Sequence, residues 1–242
     1  RASGLFELNP ALRPMDRRGL GPLEFRPGMK FLKLLLLAPL LFQEPAAARV
    51  VIVPIVNEIS FRNLALVLRA VKEIKEAKPA LVIFEIDTPG GRLDHTLSMG
   101  EAMMSLAPIP TVAYVRPLAQ AGNEGGAWSA GAYLALSCKK LYMFPGTVIG
   151  AAAPVTQGSE GMRPLEEKYV SAFREKFRAR ADQSDYPANL AVAMVDKDLE
   201  IFEVVIDGVK RYLTEREMDL LKIDGKVFDW PRIPFDSKDK LL

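Results

Sequence analysis

The chain has 242 residues, 49% of them apolar and 26% charged, and its 32 basic and 30 acidic side chains leave a net charge of +2. That length suits one domain with appendages, or two small ones, and the balanced charge gives no footprint for nucleic acid. Cys138 and His95 are each the only residue of their kind, which excludes an internal disulfide, cysteine-rich or multi-histidine metal sites, and most histidine-based triads.

Residues 1–28 are rich in Pro, Arg and Gly without apolar periodicity, and they read as an upstream or disordered extension. Residues 29–48 have the order of a secretory signal peptide. Met29-Lys30-Phe31-Leu32-Lys33 is a short basic start, Leu34 to Phe42 is an apolar run, and Ala46-Ala47-Ala48 is a small-residue cleavage signal. Nine apolar residues are too few to cross a hydrocarbon layer of ~30 Å. The reading is an exported or membrane-associated protein on the periplasmic or extracytoplasmic face, with its functional domain over residues 49–242.

Arg49 to Val56 is an apolar, β-branched run expected to form a buried strand. Ser60 N-caps a helix carrying Phe61, Leu64, Leu68, Val71 and Ile74 at helical spacing, and Lys78-Pro79 ends it. A strand at Ala80–Ile86, a helix at Leu93–Leu106 and a strand at Thr111–Val115 follow. Pro117–Gly126 reads as loop, Trp128–Ser137 as helix, and Lys140–Phe144 as strand. This alternation predicts an α/β fold of parallel βαβ units with helices packed on the sheet. Beyond it, Thr147–Ala152 is extended and Gln157–Arg163 flexible. A longer helix then carries Val170, Phe173 and Phe177, with Lys168, Arg174, Lys176, Arg178 and Arg180 read as a solvated basic face. Ala188–Val195 is a short helix. Asp207-Gly208 between Ile201–Ile206 and Lys210–Leu213 signals a C-terminal β-hairpin, and Thr214 to Glu217 has a capping-box pattern.

Two segments carry chemistry. Asp87-Thr88-Pro89-Gly90-Gly91-Arg92 follows a strand and offers backbone N–H groups where a bulky side chain would block approach. Gly125-Gly126-Ala127-Trp128-Ser129-Ala130-Gly131 sets one serine among small residues at a helix start. A nucleophile and an oxyanion hole are the parts acyl transfer needs most. The segment is not the G-x-S-x-G elbow of α/β-hydrolases. The base is open at this point. His95 sits at a helix start where it would line the substrate cleft or cap the helix. Lys197 lies between Asp196 and Asp198, which in an extended backbone would both point away from it; the same residues equally describe a surface lysine in an acidic turn.

Three ordered motifs, Ile86–Gly91, Trp128–Ala135 and Met143–Ala152, resemble the protease domain of long-form NfeD membrane proteins. These belong to the ClpP/crotonase superfamily and are related to signal peptide peptidase SppA. The resemblance runs from Arg49 to about Leu213. It implies a ClpP/crotonase-like fold and a serine protease with a Ser-Lys dyad, whose serine falls on Ser129 and whose lysine falls on Lys197. It also implies an oxyanion hole from the amides of Gly90, Gly91 and Ala130. The histidine that ClpP carries downstream of its serine is missing, the stretch reading Ala153-Pro154-Val155, which favours lysine. Trp128 departs from relatives and, with His95, is assigned to the substrate pocket. Relatives continue past a sequence like Lys240-Leu241-Leu242, so the chain is expected to be C-terminally truncated.

The expected substrates are apolar segments of membrane-associated, stomatin-like proteins. No cofactor, metal or nucleic acid is called for, and self-association into a homo-oligomer is expected. The rival readings are an inactive scaffold that binds stomatin-like partners, a crotonase-type acyl-CoA enzyme, which would need a positioned glutamate and a nucleotide pocket, and a protease in which His95 serves as the base.

Overall fold

Four parallel strands, in the order β1-β2-β3-β5, form the centre of the computed structural model, which describes residues 48–118, 125–158, 161–223 and 229–234. The assigned signal peptide, the extension before it and the C-terminal Lys240-Leu241-Leu242 lie outside those residues, except for Ala48.

β1 (Val50–Val56) is followed by α1 (Phe61–Ala77), β2 (Leu81–Asp87), α2 (Leu93–Met104) and β3 (Thr111–Val115). Then come β4 (Gly126–Trp128), α3 (Ala130–Leu136), β5 (Lys140–Met143) and β6 (Val148–Gly150). One face of the central sheet is the core: Val53 and Ile55, Val82, Phe84 and Ile86, Ala113 and Val115 are all buried. Alternation puts these side chains together under α1, α2 and α3, whose buried Val67, Val71, Met99, Met103 and Leu134 close the layer. Local chemistry sets the helix ends. Ser60 donates to Asn63 Oδ1 from both its amide and its hydroxyl, at 3.2 and 3.1 Å, at the start of α1. Lys78 ends that helix in a left-handed turn with φ 45°, its amide donating to the Ile74 carbonyl.

β7 (Val155–Gly158) and β8 (Gly161–Pro164) pair antiparallel, where the sequence pointed to a flexible segment. α4 (Glu167–Ser184) and α5 (Ala188–Ala193) follow. The last layer is β9 (Ile201–Ile206), β10 (Val209–Thr214), α6 (Glu215–Ile223) and β11 (Asp229–Pro234), its sheet ordered β10-β9-β11. Asp207 and Gly208 connect β9 to β10 with φ of 52° and 75°, the conformation a two-residue antiparallel connection requires. Thr214 and Glu217 form a reciprocal capping box: the Thr214 amide donates to Glu217 Oε2 at 2.8 Å and the Glu217 amide to Thr214 Oγ1 at 3.3 Å. Buried Asn189 donates to the Tyr212 carbonyl and to Glu217 Oε2, tying α5 to this layer. Among the described residues, no helix is long and apolar enough to cross a membrane, and no cluster of His, Cys, Asp and Glu could hold a metal ion.

Candidate active site

Ser129 stands between β4 and α3, not inside a helix. The sequence placed Trp128 in the helix, but Gly126, Ala127 and Trp128 pair in parallel with Val148, Ile149 and Gly150. The Ser129 amide donates to the Gly150 carbonyl at 2.8 Å, and the chain then turns into α3. At Ser129 φ is 50° and ψ is −112°, a conformation that non-glycine residues rarely adopt. A strained strand-to-helix turn of this kind projects a side chain away from both elements. The nucleophile-elbow geometry is present without the G-x-S-x-G sequence.

The glycine turn after β2 packs directly on this serine. Thr88 exchanges backbone hydrogen bonds with β4: its amide donates to the Gly126 carbonyl and its carbonyl accepts from the Trp128 amide, at 2.9 and 3.0 Å. A β-carbon on Gly90 would stand 2.7 Å from Ser129 Cβ and 3.2 Å from the Ala130 nitrogen. One on Gly91 would stand 2.4 Å from the Ile59 carbonyl oxygen. Both positions have φ in the region that favours glycine, 103° and 149°. The Gly90 amide donates to Thr88 Oγ1 at 3.1 Å, so it is already engaged, and the buried Thr88 hydroxyl donates in turn to the Asn57 carbonyl at 2.5 Å. Among the described residues, the amides of Gly91 and Ala130 donate to nothing. Beneath the turn, Asp87 accepts hydrogen bonds from the amides of Leu118 and Gly126, at 2.8 and 3.3 Å.

Ser129 opens on an apolar cavity of about 110 Å³. Gly91, Leu97, Tyr133, Pro154, Leu165 and Phe177 are among its walls. The Tyr133 and Phe177 rings meet at 5.5 Å, and the Tyr133 hydroxyl accepts a hydrogen bond from Arg180 Nε at 2.8 Å. Burial pushes the Tyr133 phenol above its ordinary pKa, against the opposing effect of Arg180. It therefore presents a neutral, apolar wall.

The remaining sequence candidates fall outside this cavity. Trp128 folds its indole back over Gly126, where an added β-carbon would be 2.3 Å from Nε1. His95 lies on α2 beside two of the lining residues, Leu93 and Thr96, but its ring meets Phe61 of α1 edge-on at 6.3 Å. Its Nδ1 is buried and, among the described residues, has no hydrogen-bond partner. Lys197 is exposed, in a turn and not the extended backbone expected. Asp196 before it accepts the Asp198 amide at 3.0 Å and pairs with Arg174 at 2.5 Å. The link from this segment to the site is one step removed: Met194 accepts the amide of Ala152, a cavity-lining residue. A second lysine, which the sequence reading left on a solvated face, lies in the first turn of α4. Lys168 falls between the lining residues Leu165 and Phe173, exposed, with Nζ 3.2 Å from Glu166. What could have singled it out is its place at a helix start directly after Leu165, which lines the cavity that Ser129 opens on.

The chain is 30% identical over 156 residues to the membrane protein NfeD1b of Bacillus subtilis, and 32% identical over 145 residues to the membrane-bound protease PH1510 of Pyrococcus horikoshii. These matches cover 64% and 58% of this chain but 33% and 32% of the relatives, so the chain spans about a third of the length of each. Two solved variants of the 1510-N membrane-bound stomatin-specific protease are similar in structure. The serine-to-alanine variant gives a TM-score of 0.58 and 26% identity, covering 72% of this chain and 76% of the other. The lysine-to-alanine variant, in complex with a substrate peptide, gives 0.57 and 26%, covering 72% of each. The model of the NfeD1b N-terminal domain matches residues 49–223, and the chain belongs to that family.

Proposed function

We propose that this domain is a serine endopeptidase that cleaves apolar segments of membrane-associated, stomatin-like proteins, with Ser129 as nucleophile and a lysine as base. The observation that carries the reading is Ser129 at positive φ on a strand-to-helix turn, against Gly90 and open to an apolar cavity. A peptide carbonyl there would develop its negative charge near the free amides of Gly91 and Ala130, the second at the start of α3. Gly90 then serves by lacking a side chain, since its own amide is taken by Thr88.

Serine becomes a nucleophile when a neighbouring base accepts its proton. A neutral lysine amine does so, protonates the leaving amine after acylation, and water releases the acyl-enzyme. Two lysines compete for the part. Lys197 is the residue implied by the sequence resemblance. Lys168 is the one we assign, on spacing and position. The serine and lysine substituted in the two solved relatives are about forty residues apart. Lys168 follows Ser129 by about forty residues, Lys197 by nearly seventy. Acting as base requires the Lys168 amine to leave Glu166 for the cavity.

The test is hydrolysis of an apolar fluorogenic peptide by the full chain and by Ser129→Ala, Lys168→Ala and Lys197→Ala. Loss in the serine variant and in one lysine variant supports the dyad and names its base. A folded wild type that cleaves nothing across a panel of apolar peptides favours the non-catalytic scaffold. One observation already leans that way: no lysine or histidine is among the residues lining the cavity.

A further inference from the structure

Between Thr88 and Arg92 the chain has few amides to offer, and Pro89 has none. Thr88 donates to the Gly126 carbonyl, Gly90 to Thr88 Oγ1 and Arg92 to the Ile59 carbonyl, at 2.9, 3.1 and 3.0 Å. Among the described residues, the Gly91 amide alone in this turn is left without an acceptor. Its direction is set by what grips Gly90. The Gly90 carbonyl accepts from the Ile59 amide at 2.6 Å, and the Gly90–Gly91 peptide is trans, so the Gly91 N–H points the opposite way. On the other side of Gly90, a residue with φ 103°, its amide is caught by the Thr88 hydroxyl. Thr88 is 1% exposed, and both branches of its side chain are in use. A hydroxyl can donate once and accept twice. This one donates to the Asn57 carbonyl at the exit of β1, at 2.5 Å, and accepts the Gly90 amide. The methyl lies against α3: a β-carbon on Gly131 would stand 2.6 Å from Thr88 Cγ2, and its next neighbours would be 3.5 Å away. Gly131 directly follows Ala130, whose amide is the other free donor beside Ser129.

We propose that Thr88 is the positioning residue of the oxyanion site, a role that rests on Ser129 acting as the nucleophile. Its hydroxyl fixes the turn that carries the Gly91 donor, and its methyl sets how closely that turn approaches the start of α3, which carries the Ala130 donor. Its backbone bonds to β4 keep both in register with Ser129. The two branches can be removed one at a time. Valine keeps the methyl and the shape but leaves the Gly90 amide and the Asn57 carbonyl buried and unpaired. Serine keeps the hydroxyl and opens a gap beside Gly131. Donors at an oxyanion act because they are in place before the charge forms. Displacing one therefore lowers kcat and kcat/KM together and spares ground-state binding. A side chain that merely held the fold together would change the folded fraction and leave kcat per folded molecule as it was.

The experiment is steady-state cleavage of an apolar fluorogenic peptide by the full chain, with kcat taken per folded molecule, alongside inhibition by the matching peptide aldehyde. The aldehyde's adduct with a serine hydroxyl carries its oxygen where the oxyanion forms. Thr88→Val should lose about 10²-fold in kcat with KM nearly unchanged, and aldehyde inhibition should weaken in proportion. Thr88→Ser should stay within about 10-fold of wild type, since it lacks only the methyl. Gly131→Ala should lower kcat by pressing its new methyl on Thr88 Cγ2, and adding Thr88→Ser should restore activity by vacating that space. A valine variant with wild-type kcat, or one altered in KM alone, overturns the proposal. So does a serine variant as poor as valine, or a double variant no better than Gly131→Ala. Should Thr88→Val not fold, Thr88→Ala against Thr88→Ser decides, because both lack the methyl and serine alone keeps the hydroxyl; equal kcat values overturn the proposal. A wild type that neither cleaves nor binds the aldehyde removes the peptidase reading and this role with it. An active wild type with indifferent Thr88 variants removes this role alone.

Discussion

Gly90 and Ser129 are packed so closely that the glycine has no room for a β-carbon: it would lie 2.7 Å from the serine's own. One residue is the surface against which the other is held. Gly90→Ala should push the Ser129 side chain off its position and lower kcat by about 10²-fold, the scale expected when a reacting group is misplaced by about 1 Å. Gly91→Ala should act on the fold instead. Its β-carbon would meet the Ile59 backbone at 2.4 to 2.6 Å with φ at 149°, and a loss of roughly 2–4 kcal/mol in urea unfolding is expected. Equal effects of the two changes on stability would contradict this division.

Ser129 should reveal its strain when replaced. Ser129→Ala removes the proposed nucleophile while keeping a β-carbon at φ 50°, so peptidase activity should fall by at least about 10³-fold with stability nearly unchanged. Ser129→Gly should be equally inactive yet more stable by about 1 kcal/mol, because glycine tolerates this backbone. Chemical denaturation of the two variants side by side measures the difference. A glycine variant no more stable than the alanine one would mean the turn is unstrained.

The two lysines are separated by pH as well as by deletion. A lysine accepts a proton only when neutral, so kcat/KM should rise with pH through the pKa of the base. Lys168→Ala and Lys168→Arg should both abolish that limb, since a guanidinium stays charged throughout the accessible range. Lys197→Ala should leave the profile intact. The opposite pattern would return the base to Lys197.

Cys138 reports on the helix that starts at Ser129. It is fully buried at the end of α3, burial pushes its thiol well above the ordinary cysteine range, and its Sγ faces the Leu134 carbonyl at 4.0 Å. Alkylation at pH 8 should be slower than in denaturant by at least about 10³-fold, because the thiolate is scarce and access requires opening. Labelling at the unfolded rate would mean that α3 detaches readily.

The sequence announces the central sheet through runs such as Val50–Val56 and Ala80–Ile86, where β-branched and aromatic residues leave few alternatives. Gly126–Trp128 is illegible by the same rule. Three residues, two of them poor strand formers, become a strand only by pairing with Val148–Gly150, a partner distant in sequence, and that pairing moves Ser129 from helix to turn. Gln157–Arg163 is misread for the same reason, its glycines and polar residues concealing the β7–β8 pair. The Gly90-Gly91 turn is legible because glycine has a specific steric use there. Lys168 is not, since a cation in the first turn of an amphipathic helix looks like any solvated charge until its neighbours Leu165 and Phe173 are seen on the cavity wall.

Asp87 holds the amides of Leu118 and Gly126 with one carboxylate, pinning both ends of the intervening stretch to the end of β2. Fixed ends decouple the length of that stretch from the position of Ser129, which is set by β4 and Gly150. Residues could be inserted or exchanged between the two anchors with little effect on the position of Ser129, as loop closure costs only about 0.6 kcal/mol for each doubling of length. One buried carboxylate thus lets the length of a connection vary without disturbing the strand that leads into Ser129.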